Sequence, residues 1–271
     1  MEKYHIDCDL ERRSWYLYSK NSSDDEKIQK EYELAMDLGL NVKVAEANEI
    51  PYQFSRGIKL EEQVQFNPMK YVQGLANAIK TSSCQVYENT PVTEIEKVDD
   101  GFIVHAGGKQ VRCNKVVHAT HTPKGVKFLQ TLLGPYREYG IACKLANKIE
   151  KGGIFWGYHQ TEKFSTRIYE ENDEQFLIVV GKPHKVGQAE SNVDQVHALE
   201  LFAKKHFSVE EVVYRWGGQH YRPADFLPYI GELNENEYVA TGFSTDGLVY
   251  GTLAAMMIAD QIGECENEYL E

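Results

Sequence analysis

The chain has 271 residues, 42% hydrophobic and 26% charged, which is typical of a globular protein with one large domain or two ordinary ones. Its formal net charge of -12 would repel phosphates, and this argues against nucleic acid or an anionic membrane surface as the main partner. The charged N-terminal residues lack the apolar core of a signal peptide, and the longest apolar runs are too short to span a bilayer.

The cysteine pattern favours a reducing, cytoplasmic location. The chain has five cysteines, an odd number, and the closest pair is Cys84 and Cys113, separated by 29 positions. That spacing excludes a C-x-x-C metal or redox motif and argues against a disulfide framework.

The first third of the chain predicts strands and helices in alternation. Residues 6–19 are rich in β-formers, and 24–40 have apolar residues at helical spacing with acids in the first turn. The strand-like run 57–66 leads into a helix over 67–80, where Asn67 can cap and Pro68 occupies the first helical position.

The remainder predicts mostly strands. Residues 86–120 read as strands with a hairpin turn at Gly107 and Gly108, and 138–181 resemble an antiparallel meander. A helix is expected over 193–207, and the chain ends in a strand, a turn and an apolar helix from residue 244. This mixture indicates an α/β or α+β fold, with room for interleaved domains.

The run KVVHATHTP (115–123) is the first candidate for ligand contact. A buried strand that stops at Ala119 and Thr120 exposes backbone groups at its carboxyl end, where open α/β sheets bind ligands. The alternative is an ordinary strand end. His118 and His121 are not expected to hold a metal, because three-residue spacing on a strand places them on opposite faces.

Two later segments contain polar groups that are candidates for ligand binding. In WGGQHYRPADFLPYIG (216–231), Arg222 offers a planar fork suited to a carboxylate, and an ion pair with Asp225 is the structural alternative. In STDGLVYG (244–251), the start of the last helix either faces an electron-rich ligand or is capped by Thr245 or Asp246.

Five motifs in order give the chain a family resemblance. The motifs are FNPMKYVQGLANAI, VYENTPVTEIE, KVVHATHTP, WGGQHYRPADFLPYIG and YVATGFSTDGLVYGTLAAMMIADQI. Across residues 5–264 the chain resembles FAD-dependent oxidoreductases of the D-amino-acid oxidase family, which includes glycine and sarcosine oxidases. It is most similar to members that carry an additional Rieske iron–sulfur domain.

The resemblance implies an α/β (α+β) fold with two interleaved domains. Residues 5–60 and 126–228 would form a substrate-binding domain with a mixed or antiparallel sheet that covers the flavin ring. Residues 61–125 and 229–264 would form the remainder of an FAD-binding domain with a partial Rossmann-like sheet.

The resemblance also implies roles for individual residues. Arg222 would hold a substrate carboxylate, with Tyr221 and Tyr158 as pocket walls. Thr245 stands where the family often has a second basic residue, and this departure would suit an amine substrate as well as an amino acid. The residues implied in contact with FAD are Val92, Ala119, Thr120, Thr245, Asp246, Gly247 and Leu248.

The sequence departs from the family pattern in one respect that concerns the cofactor. It contains no G-x-G, whereas the family opens with G-x-G-x-x-G, and it lacks the cysteine and histidine ligands of a Rieske domain. The chain therefore looks like a middle section of such an enzyme. We expect FAD to be bound weakly or not at all, the chain to be inactive alone, and an exposed sheet edge to permit self-association.

Two alternatives stay open at this point. One is a non-enzymatic module of the same descent that binds a small ligand or a partner. The other is a flavin-dependent dehydrogenation with an electron acceptor other than oxygen.

Overall fold

The computed structural model describes residues 4–81, 83–125, 127–150, 152–158 and 164–269. The helices are α1 (Asp25–Asp37), α2 (Pro68–Ile79), α3 (Asn192–His206) and α4 (Gly247–Ile262). The strands are β1 (Glu11–Ser19), β2 (Val42–Val44), β3 (Arg56–Gln65), β4 (Val92–Val98), β5 (Gly101–Ala106), β6 (Lys109–Cys113), β7 (Val116–His118), β8 (Leu133–Leu145), β9 (Ile154–Tyr158), β10 (Phe164–Glu171), β11 (Glu174–Lys185), β12 (Val209–Pro223), β13 (Tyr229–Asn234) and β14 (Glu237–Thr241).

The helices begin where the sequence places their capping signals. Asn67 Oδ1 accepts hydrogen bonds from the backbone N–H groups of Met69 and Lys70, at 3.1 and 3.2 Å, and Pro68 is the first residue of α2. These bonds satisfy two of the N–H groups that a helix start leaves without a partner. Within the described residues, no helix has the length and apolarity needed to cross a bilayer.

The largest sheet has eight strands in the order β12-β8-β11-β10-β9-β1-β3-β2. Strands β9, β10 and β11 form an antiparallel meander, whereas β1 pairs parallel with β9, so the sheet is mixed. This confirms the predicted mixed α/β class. One detail of the prediction was wrong, because the run YGIACKL lies in β8 and β8 is the neighbour of β11 instead of β9.

The position of β8 follows from the layer of side chains under α3. Tyr139, Ile141, Cys143 and Leu145 alternate along β8, and they pack with apolar residues of β10 and β11 against Leu199 of α3. Because side chains of a strand alternate between faces, one face of the sheet is fixed against α3. We call the opposite face the second face; α1 covers its β1-β3-β2 end through Ile28.

Two smaller sheets complete the architecture. One has the order β13-β14-β7, with β14 parallel to β7, and α4 packs on it through Ala254 and Ile258. The other is the antiparallel sheet β4-β5-β6. Its β5–β6 turn has φ 56° at Gly107 and 75° at Gly108, the backbone of a two-residue hairpin turn, which confirms the predicted hairpin.

The predicted strand from residue 86 was wrong in its first part, because β4 begins only at Val92. Asn89 has a positive φ of 53°, which breaks an extended backbone, and Pro91 has no N–H to donate to a neighbouring strand. Both residues favour the turn that precedes β4.

The chain divides into two compact units, each built from two segments. Unit 1 comprises Met1–Ala78 and Arg137–Gly218, and unit 2 comprises Ile79–Tyr136 and Gln219–Glu271. The predicted roles of a substrate-binding and an FAD-binding domain, with the bounds given above, stay predictions.

Candidate functional site

Two chain segments of unit 2 leave one sheet edge together. Strand β14 runs parallel to β7 with Val239 opposite His118, so the residues after both strands emerge at the same edge. Ala119 and Thr120 follow β7 and are exposed, and the loop after β14 leads into α4. Thr241 Oγ1 donates to the carbonyl oxygen of His121 at 2.5 Å, and this bond joins the two loops.

The backbone at this edge is held in an uncommon conformation. His121 and Ser244 have positive φ values of 68° and 52°, and Gly242 has φ 78°. A Cβ atom at Gly242 would lie 2.7 Å from Cγ of Pro223, so only glycine permits β12 to approach this closely. Non-glycine residues with positive φ are held in place by their surroundings and are concentrated at ligand sites.

Arg222, near the end of β12, lies over two aromatic rings. Its guanidinium carbon lies 3.8 Å from the ring centroid of Tyr136 and 5.1 Å from that of Phe226. Within the described residues it forms no ion pair, and Asp225, the acid proposed as its partner, accepts instead from the backbone N–H of Leu227 at 3.1 Å. The fork of N–H groups is therefore fixed in orientation and available to an external acceptor.

His220 shares the face of Arg222, because residues two apart on a strand point the same way. Its ring stacks on Tyr136 with centroids 5.8 Å apart and an interplanar angle of 12°. Burial lowers the pKa of His220, and the positive charge of Arg222 and the nearby ring of His121 lower it further. A neutral imidazole beside Arg222 follows from these causes.

Tyr221 points to the other side of β12. Its ring meets that of His121 edge-on at 4.9 Å, and its hydroxyl accepts a hydrogen bond from Gln219 Nε2 at 3.0 Å. The backbone N–H of Ser244 donates to the Tyr221 carbonyl at 3.1 Å. Tyr221 thus belongs with the loops after β7 and β14, whereas Arg222 belongs with the ring stack on Tyr136.

Two of the predicted site residues belong to other elements. Val92 opens β4 in the other small sheet, opposite Ala106. Tyr158 ends β9 in unit 1, where it packs against the cluster around Ile28, and Lys27 Nζ lies 5.0 Å from its ring centroid. Their proposed contacts with adenine and substrate stay predictions.

The first turn of α4 is exposed to solvent. Thr245, Asp246, Gly247 and Leu248 are all exposed, and Asp246 occupies the N-cap position without a side-chain capping hydrogen bond. A Cβ built on Gly247 would have no neighbour within 4 Å. The helix start therefore presents backbone N–H groups and the positive end of the helix dipole, a combination that fits an electron-rich ring edge or an anion.

A buried ionic network supports the loop after β7. His118 Nε2 lies 2.9 Å from Glu237 Oε1, Lys127 Nζ lies 2.6 Å from the same oxygen, and Asn234 donates to Oε2 at 2.6 Å. His118 Nδ1 accepts from the backbone N–H of Lys124 at 3.2 Å, so both of its ring nitrogens are used within the protein. This network fixes both ends of the loop that carries Ala119 and Thr120.

Burial alone would raise the pKa of Glu237. The hydrogen bonds from Lys127, Asn234 and His118 outweigh that cost, and together with the charge of Lys127 they lower the pKa from the ordinary 4.5 to about 2. In the described part of the chain, the one cluster of three metal-binding side chains is Glu94, Glu96 and His105 on β4 and β5, and it shares no residue with this network.

Comparisons with known proteins identify the family and the fold. The family model described as FAD dependent oxidoreductase (DAO) matches residues 1–261. The fold is similar to that of glycine oxidase from Geobacillus kaustophilus, with a TM-score of 0.80, 18% identity, and coverage of 98% of this chain and 75% of that one. For glycine oxidase from Bacillus cereus ATCC 14579 the TM-score is 0.78 and the identity 19%, over 99% and 78% of the two chains.

A curated relative is more similar in sequence. It is YhfW of Bacillus subtilis (strain 168), whose name assigns it provisionally to the Rieske 2Fe-2S iron-sulfur proteins, and it is 26% identical over 275 residues. The match covers 99% of this chain and 53% of the relative, so the chain spans about half of that protein's length.

Proposed function

Because this chain belongs to the DAO family of FAD-dependent oxidoreductases, we propose that it serves the oxidation of a C–N bond in an amine or amino acid. When bound, FAD supplies the chemistry by accepting a hydride from the substrate carbon that bears nitrogen. The observation that carries the proposal is Arg222, whose guanidinium is stacked on Tyr136 and has no acidic partner among the described residues.

Arg222 would bind the carboxylate of an amino-acid substrate through two parallel hydrogen bonds. Such charge-assisted contacts are worth about 1.5–3 kcal/mol, and the stack on Tyr136 lowers the cost of orienting the fork. His220, kept neutral by burial and by the positive charge of Arg222, adds no second positive charge next to the fork. Tyr221 and Tyr158 would wall the substrate pocket.

The exposed start of α4 is the element that best fits the cofactor. Thr245, Asp246, Gly247 and Leu248 would lie along the pyrimidine edge of the flavin, where backbone N–H groups and the helix dipole favour electron-rich oxygen and nitrogen atoms. Ala119 and Thr120 would lie beside the cofactor, and Val92 would contact the adenine. Residues 61–125 and 229–264 would be the remaining part of an FAD-binding domain, and 5–60 and 126–228 the substrate-binding domain.

We further propose that the 271 residues hold FAD weakly by themselves. The sequence contains no G-x-G, so it offers no glycine-rich turn that would let backbone N–H groups approach the pyrophosphate. A dinucleotide-binding βαβ unit, supplied as a fusion ahead of Met1, would restore those contacts.

A substrate comparison in that fusion tests the role of Arg222. Each amino acid is compared with the amine that lacks only its carboxylate, and kcat and KM are measured for the parent and for Arg222→Ala. We expect kcat/KM for the amino acid to fall by about 10- to 150-fold, the equivalent of 1.5–3 kcal/mol, while the amine is unaffected. The matched control is Arg112→Ala on β6, an exposed arginine of the same unit, which should change neither substrate.

Equal losses for the amino acid and its amine in Arg222→Ala would contradict the carboxylate contact. Bound FAD that no amine or amino acid reduces in the parent fusion would contradict the proposed function as a whole.

A further inference from the structure

Arg167 lies on the second face of the large sheet, within unit 1, in an apolar setting. On β10 it is directly opposite Ile154 of β9 and Ile178 of β11, and residues that face each other across strands share one side of the sheet. The next pair along the sheet is Tyr169 with Phe176, whose rings are stacked with centroids 5.1 Å apart. Apolar side chains thus flank the arginine on three sides.

The charge of Arg167 has no counterpart within the described residues. Its Nε is buried and lacks a hydrogen-bond partner, and no ion pair or other hydrogen bond involves this side chain. Desolvation by burial lowers its pKa, as expected for a cation in apolar surroundings. The side chain as a whole is half-buried, so its unpaired guanidinium contributes little to the stability of the sheet while its N–H groups are available to an external acceptor.

Two acids of unit 1, Glu11 and Glu138, do not pair with Arg167. Glu11 is occupied by Arg13 at 2.8 Å and by Gln65 at 2.9 Å. Glu138 alternates with the residues of β8 that face α3 and so lies on the second face, but β11 separates its strand from β10, and it forms no ion pair with Arg167.

The second face is accessible beside Arg167. Trp156, opposite Ser165 in the adjacent pair, is 41% exposed, and its ring meets that of Trp15 edge-on at 5.9 Å. A flat apolar surface with one unpaired guanidinium is suited to a ligand that has an apolar body and one acidic group.

We propose that Arg167 is an anion-binding residue that receives the carboxylate of a small ligand whose apolar body packs against Trp156 and Tyr169. This goes beyond the role assigned to Arg222, because it adds an anion-binding position in unit 1 that the family resemblance does not supply. Its test needs no flavin, so it can fail or succeed independently of the proposed oxidation.

Isothermal titration of the whole chain tests the proposal with three probes: phenylacetate, its neutral isostere phenylacetamide, and inorganic phosphate. The parent should bind phenylacetate more tightly than phenylacetamide. Arg167→Met should weaken phenylacetate binding about 10- to 100-fold and leave phenylacetamide unchanged. Arg167→Lys keeps the charge but loses the fork, and should give an intermediate affinity.

The matched control is Arg215→Gln, which removes an arginine of the same unit that already has a partner, Glu200 at 2.6 Å. It should bind phenylacetate like the parent. The proposal would be overturned if the parent protein does not bind phenylacetate, or if it binds phosphate more tightly than phenylacetate. So would phenylacetate binding that depends on Arg222 and is unaffected in Arg167→Met.

Thermal unfolding separates this role from a structural one. If Arg167 is kept for a ligand, replacing it by the apolar methionine removes an unpaired charge, and Arg167→Met should melt at or above the temperature of the parent. A variant that melts well below the parent, or does not fold, would show that Arg167 stabilises the sheet and would overturn the proposal.

Discussion

Replacing Glu237 by glutamine tests the buried network behind the candidate site. In the parent, one carboxylate oxygen accepts from His118 and Lys127 and the other from Asn234, and Glu237 is only 6% exposed. A glutamine has the same shape but carries no charge, and its amide nitrogen cannot accept a hydrogen bond. The positive charge of Lys127 would then be left without a counter-ion next to the loop that carries Ala119 and Thr120.

The expected loss of stability in Glu237→Gln can be calculated from the pKa of the Glu237 carboxyl group. The fall in the pKa of Glu237 from 4.5 to about 2, at about 1.4 kcal/mol per pKa unit, corresponds to about 3 kcal/mol of the free energy of unfolding. Because the folded-state pKa is depressed, this stabilisation is fully present above the unfolded pKa of 4.5 and is lost as the pH falls toward 2.

Urea unfolding of the parent and of Glu237→Gln at several pH values measures the effect. We expect the difference in free energy of unfolding to be about 3 kcal/mol and constant above about pH 5, and to shrink by about 1.4 kcal/mol for each pH unit below 4.5. The control is Glu235→Gln, which removes a carboxylate that is 80% exposed and lies 3.4 Å from Lys97. A difference that stays constant down to the acid unfolding transition would refute the reasoning.

Three further predictions address the site and the cofactor. Gly242→Ala should lower the free energy of unfolding by about 1–3 kcal/mol, because the alanine would have a positive φ and its Cβ would clash with Pro223. The control is Gly39→Ala, which has a φ of 77° and no neighbour within 4 Å, so it measures the cost of the positive φ alone. Equal losses for the two variants in urea unfolding would contradict the clash. Tyr136→Leu should weaken carboxylate binding by Arg222 by about 0.5–2 kcal/mol through the lost stack, and an unchanged KM for the amino acid in the FAD-loaded fusion would argue against it. A fluorescence titration should find that the chain alone binds FAD with a Kd above the micromolar range, and a yellow preparation with stoichiometric FAD would disprove this.

Where an element depends on residues close together in the chain, the sequence was sufficient to predict it. The cap at Asn67, the proline at the first helical position of α2 and the Gly107–Gly108 hairpin involve residues within a few positions of each other. The same is true of the final strand and helix, where a short apolar strand turns through a polar loop into α4.

Contacts between residues far apart in the chain could not be predicted from such local signals. The placement of β8 beside β11 depends on a layer of side chains under α3, and the pair of His118 and Glu237 joins positions 119 residues apart. Nothing in the sequence around either residue indicates that pair.

The ring stack of the candidate site is an intermediate case. Alternation in the run QHYRP indicates that His220 and Arg222 share one face of β12 and that Tyr221 takes the other, and this signal was available. The ring of Tyr136 beneath them was not, because it comes from β8, the neighbour of β12 in the large sheet.

The central claim is that this chain serves FAD-dependent oxidation of a C–N bond, and anaerobic mixing of the FAD-loaded fusion with amino acids and amines tests it most directly. The account predicts that at least one such compound bleaches the bound flavin. Because the imine hydrolyses, a carbonyl product should appear in equal amount to the flavin reduced, together with ammonia from a primary amine or with the released primary amine from an acyclic secondary one. Flavin that stays oxidised with every amine and amino acid, in a preparation shown to hold FAD stoichiometrically, would contradict the account.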